Sequence, residues 1–111
     1  MARLTAQFRV QALVRRVHAA GGSAMVLARG DETAGALLII AGDRGAGWQC
    51  FERGLDATGN PAAIASGPAD ADDSALAEYW QRRRRNDPDL WVVEVDVAQA
   101  ERFAAETILS G

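Results

Sequence analysis

The chain contains no lysine, and all twelve of its basic residues are arginine. Any reaction that needs a lysine ammonium or a lysine Schiff base is therefore excluded. Cysteine and histidine occur once each, as Cys50 and His18. A single cysteine rules out an internal disulfide, and one of each rules out the usual Cys/His zinc frameworks. Long hydrophobic runs are missing too. The longest, Gly35 to Gly42, falls far short of the roughly 20 residues of a membrane span. No charged start leads into an apolar stretch with a small-residue cleavage site, which sets the expectation of a cytoplasmic protein with no membrane contact. Nucleophile elbows, phosphate loops and dinucleotide fingerprints are also absent. Gly42-Asp43-Arg44-Gly45-Ala46-Gly47 is rich in glycine, but its spacing suits a hairpin and no helix is expected after it.

What is present is a chain of 111 residues, enough for one domain and too few for two. Its net charge of −3 is unevenly distributed. Residues 1–29 hold five arginines and no acid, whereas residues 30–111 hold seven arginines and all fifteen acids. The excess of acid argues against a dedicated nucleic-acid coat.

Periodicity predicts the order α-β-β-β-α-β-α. Thr5 caps a first helix that Gly21-Gly22 ends. Ala6, Val10, Leu13, Val14, Val17 and Ala20 form its apolar stripe, with Arg9 and Arg16 on the flanks. Phe8 lies off that stripe and needs cover from elsewhere in the chain or from a second copy. Strands follow at Ser23–Arg29, at Gly35–Ala41 and at Trp48–Arg53. The second is apolar at both parities, as in a strand covered on both faces. Residues 54–73 show no periodicity and read as a mobile loop. Ser74 caps a second helix carrying Leu76, Ala77, Tyr79 and Trp80, and Pro88 forces its end. Leu90–Val95 is a fourth strand, and Asp96 caps a last helix over Val97–Leu109. The fold expected is a single α+β domain over 1–111, with a four-stranded, mostly antiparallel mixed sheet in the order 3-2-1-4.

Several groups could carry chemistry. His18 sits on the polar side of its helix, with no nucleophile assignable to it. Cys50 reads as a small packed residue. The order α-β-β-β-α-β is shared with restriction-endonuclease-like metal nucleases, and Asp43 and Glu52 stand near the positions of their acids. The lysine of that pattern is missing, leaving at most a degenerate nuclease. Arg82, Arg83, Arg84 and Arg85 end the second helix. Arg83 and Arg84 fall beside Leu76 and Trp80, while Arg82 and Arg85 face away. With Arg15 and Arg16 they are the candidate contacts for phosphate or nucleic acid. No catalytic residue, metal ligand or cofactor is expected.

Two segments look familiar. Leu4-Thr5-Ala6-Gln7-Phe8, then Ala12, Arg15-Arg16 and Ala34-Gly35-Ala36, resemble the start of a bacterial family of unknown function, domain-of-unknown-function family 1491. Asp87-Pro88-Asp89-Leu90-Trp91-Val92-Val93-Glu94-Val95 resembles its most recognisable segment. Arg9 and Asn86 stand where that family tends to have an aromatic residue. The resemblance implies no activity, cofactor or catalytic residue. Physically, Asp87, Pro88, Asp89, Leu90 and Trp91 read as a helix-to-strand corner, with Asp87 accepting in the turn and Trp91 anchoring the strand. The function expected is a small non-enzymatic interaction or regulatory domain. A homodimer through the outer side of the first helix or an exposed sheet face is expected.

Overall fold

The computed structural model describes residues 4–110. The first helix, α1 (Ala6–Ala19), starts where Thr5 accepts a hydrogen bond from Phe8 N at 3.1 Å. Ala6 N and Gln7 N donate to Thr33 O and Glu32 O at 3.0 and 2.9 Å. A side chain and a loop thus take up donors that an open helix end leaves unpaired. Gly21, at φ +85°, carries the chain out of the helix.

The strands are β1 (Ser23–Ala28), β2 (Leu37–Asp43), β3 (Ala46–Leu55), β4 (Pro61–Ser66) and β5 (Trp91–Asp96). Two further helices are α2 (Asp73–Asn86) and α3 (Ala100–Leu109). The architecture is α+β with a mixed sheet, but the sheet has five strands instead of four, in the order β1-β5-β2-β3-β4. The extra strand, β4, lies inside the segment expected to be loop. Asp56 Oδ1 accepts from Thr58 N, Thr58 Oγ1 and Asn60 N at 2.9, 2.7 and 3.0 Å, closing a turn that folds β4 back onto β3.

The expected order 3-2-1-4 is also overturned. The fourth expected strand, now β5, inserts between β1 and β2, parallel to β2 and antiparallel to β1. The reason lies in residues 29–36, which connect β1 to β2. This connection is too long for a tight hairpin, and it wraps the start of β5. Asp31 N donates to Asp89 O at 3.0 Å and Trp91 N donates to Ala36 O at 2.8 Å. The indole N–H of Trp91 donates to Asp31 O, also at 2.8 Å. A Cβ added to Gly30 or Gly35 would stand 2.0 or 2.3 Å from Asp89 O. Only glycine lets the two backbones come so close.

The sheet carries helices on both faces. Leu37, Ile39, Phe51, Trp91, Val93 and Val95 point to α1 and α3. Leu38, Ile40, Cys50 and Val92 point to α2. β2 is therefore buried along six of its seven residues, as its unbroken apolar run requires. Two helix starts differ from expectation. α2 is capped by Asp72, not Ser74, with Asp72 Oδ1 accepting from Ala75 N at 2.8 Å. α3 begins after Gln99 because Asp96 is used elsewhere. Its carboxylate accepts from Arg44 N and Gly45 N at 2.7 and 3.0 Å, fastening the β2–β3 hairpin to the end of β5.

Candidate functional site: an arginine-rimmed groove

The arginines of the first and second helices do not converge. α1 and α2 lie on opposite faces of the sheet, so Arg15 and Arg16 are separated from Arg82–Arg85 by the core. Most of these arginines are tied into the fold. Arg9 donates to Thr107 O and Ile108 O, each at 2.8 Å, and so caps the C-terminal end of α3, where the helix dipole favours a cation. Arg16 donates to Thr107 Oγ1 at 2.9 Å and reaches Glu106 at 3.9 Å. Arg83 grips Glu52 with two bonds of 2.6 and 2.8 Å and also donates to Tyr79 Oη at 2.7 Å. Arg84 donates to Pro88 O and Leu90 O, locking the corner between α2 and β5. Arg82 and Arg85 are exposed.

The same geometry accounts for the other sequence candidates. Asp87 Oδ1 accepts from Asp89 N at 3.1 Å, and Leu90 and Trp91 are 1% exposed. Glu52 is held below the ordinary carboxylate range by the Arg83 guanidinium, against the opposing effect of its burial. It is an ion-pair partner, and Asp43 is exposed on a hairpin. Among the described residues, no three acids, cysteines or histidines come together as a metal would need. Burial, with Glu52 adding to it, pushes the Cys50 thiol up to about 11, so it stays protonated and unreactive at neutral pH. His18 is exposed on α1.

One arginine predicted from sequence does meet a ligand-sized space. Between α1 and the β1 edge of the sheet runs a groove of about 450 Å³. Its exposed apolar surface comes from Val14 and Val26, with the buried Val10 and Trp91 ring beneath. Arg15 and Arg29 stand at its rim beside the amides of Gln7 and Gln11, and no acid lines it. The Arg29 guanidinium lies over the Trp91 ring, 5.2 Å from its centroid, which fixes it in place without neutralising it. Arg15 makes no ion pair among the described residues. Arg29 was not singled out from sequence. Read as the last residue of the expected strand Ser23–Arg29, it carries no signal of its own, and only the fold brings it beside α1.

A model of proteins of unknown function, DUF1491, matches residues 4–105. The chain belongs to the DUF1491 family. Solved structures agree. A crystal structure of a DUF1491 protein from Caulobacter crescentus is 32% identical, with a TM-score of 0.78 over 90% of this chain and 94% of that one. An NMR structure of a DUF1491 protein from the same organism is 31% identical, with a TM-score of 0.76 over 93% and 94%. The solution structure of protein Atu0922 from A. tumefaciens is 27% identical, with a TM-score of 0.72 over 99% and 98%. No curated protein matches the chain. Family membership carries no activity with it.

Proposed function

We propose that this DUF1491 protein is a non-enzymatic, cytoplasmic binding module whose α1 groove takes a small anion with an apolar body. The observation that carries this reading is the pair Arg15 and Arg29, two guanidinium groups without counter-charge above an apolar floor. A carboxylate or phosphate can accept their N–H groups in the forked geometry arginine offers. Gln7 and Gln11 supply further donors, and the valines receive the ligand's apolar part. A volume of about 450 Å³ lies within the ~300–1,000 Å³ of small-molecule sites. Of the six arginines expected as anion contacts, Arg15, Arg16 and Arg82–Arg85, this reading keeps Arg15 and adds Arg29, which follows β1.

The test uses 1-naphthoate and its uncharged amide as probes, followed by NMR of backbone amides. The acid should shift signals of α1 and β1 saturably, and the amide should bind at least about tenfold more weakly, as the loss of a charge-assisted bond predicts. The variant R15A/R29A should lose binding with its melting temperature lowered by only a few degrees, the share of the lost Arg29–Trp91 contact. Equal binding of acid and amide would sink the reading.

Self-association is a second reading, favoured by Leu4, just before the start of α1, and Phe8 in its first turn, 46% and 47% exposed. A homodimer covering them removes two large apolar side chains from water. Light scattering at increasing concentration should give the mass of a dimer. A persistent monomer mass removes this reading and leaves the groove untouched.

A further inference from the structure

On the opposite face of the sheet, α2 leaves a cleft of about 400 Å³. Ile40 and Leu76 give it apolar walls, the indoles of Trp48 and Trp80 flank it, and Asp73 and Glu94 supply carboxylates. Its parts come from five elements, β1, β2, β3, β5 and α2. Trp48 stands on β3 and lies flat on Gly42, where an added Cβ would come within 2.6 Å of the ring. Trp80 and Asp73 come from α2, and Glu94 from β5.

Glu94 is the decisive group. Its register partners are Ile40 and Met25, both apolar. No basic side chain pairs with it among the described residues. Burial pushes its carboxyl above its ordinary value, and Asp73 and Asp96 push the same way. Arg83, Arg84 and Arg85 stand at the far end of α2, about 15 Å from Asp73 by helical rise. Arg44, on the neighbouring hairpin, is exposed and makes no ion pair. A half-buried carboxylate beside aromatic rings and further acids is costly while the cleft is empty. A positive occupant removes that cost, and indole faces attract cations. A strongly hydrated metal ion would demand several oxygens at close range. A weakly hydrated organic cation needs only one counter-charge and the rings.

We propose that this cleft binds a small organic cation, an alkylated ammonium seated against Trp48 and Trp80 with Glu94 as its counter-charge. The site shares no residue with the α1 groove, and neither proposal depends on the other.

NMR of the tryptophan indole N–H signals tests it, with choline as probe and 3,3-dimethyl-1-butanol as its uncharged isostere. Choline should shift the Trp48 and Trp80 signals saturably and leave Trp91 still. The isostere should bind at least about tenfold more weakly, since it keeps the shape and loses the charge. Glu94→Gln preserves shape and should weaken choline at least about fivefold. Trp80→Leu, at a half-buried helix position, gives a second variant with the same expectation, while R15A/R29A should bind choline unchanged. Absence of a saturable shift, an isostere as tight as choline, or unchanged affinity in both site variants overturns the proposal. A trimethyl-lysine peptide binding more than about tenfold tighter than choline overturns the small-molecule assignment in favour of a protein partner.

Discussion

Trp91 joins several parts of the molecule. Its ring is 1% exposed, its indole N–H holds Asp31 O, and Arg29 rests on its face. Trp91→Ala should cost about 3–5 kcal/mol, the usual cost of emptying a large buried aromatic site. Chemical denaturation would read this as a large drop in midpoint, and an unchanged midpoint would place the ring outside the core. Glu52 makes a prediction about pH. Its folded pKa lies below its ordinary value of 4.5 because Arg83 stabilises the ionised form. The pair therefore adds stability above pH 4.5, and that share is lost as pH falls through the folded value. Glu52→Gln should be less stable than wild type at neutral pH and lose less on acidification below 4.5. Urea midpoints measured across that range check the sign, and parallel acid limbs would refute it. The roles of Arg83 and Arg84 were half legible from sequence. Helical spacing puts them beside Leu76 and Trp80, but it cannot reveal that Glu52, 31 positions away, is the partner.

At the scale of elements, legibility followed side-chain pattern. α1 is readable because its stripe, its Thr5 cap and its glycine stop agree. β2 is readable because a run apolar at both parities has to be covered twice. β4 is not, because Pro-Ala-Ala-Ile-Ala-Ser has weak strand propensity and no clean alternation. The turn before it did carry a signal in Asp56, Thr58 and Gly59, but nothing local says what the turn returns to. The position of β5 was hidden for a similar reason. It depends on Gly30 and Gly35 pressing against Asp89, a contact between distant parts of the chain. The strand at 61–66 makes a prediction that a mobile loop would not. Amides of β4 that bond to β3 should exchange with solvent slowly, and Asp56→Ala should speed them by loosening the turn while leaving β2 and β5 protected. Uniformly fast exchange across 54–73 in the wild type would return the segment to a loop.

The whole molecule carries its charge in separated zones, and this decides what a polyanion would meet. Arg15 and Arg29 open on the α1 face, and Arg82 and Arg85 project from the end of α2 behind the sheet. A single duplex cannot contact both sets, because the core lies between them. On the α2 face, Asp70, Asp72, Asp73 and Glu94 stand on the same side as the arginine run. At physiological salt, charges farther apart than about 8 Å are largely screened, so local sign outweighs the net charge of the chain. The α2 end thus offers two exposed guanidinium groups and the α1 groove two more. Each phosphate neutralised on duplex DNA contributes about −0.9 to the log–log salt slope, so either pair alone gives only about −2. The expected outcome is weak, salt-sensitive retention of DNA or RNA at low ionic strength and no saturable binding at physiological salt. Fluorescence anisotropy with short single- and double-stranded oligonucleotides measures it. A slope of about −4 or steeper would require four or more arginines on one surface. More of the exposed arginines than these two pairs, or a second copy of the chain, would then have to join the surface. If that slope vanished in R82A/R85A, the α2 end would replace the α1 groove as the functional surface.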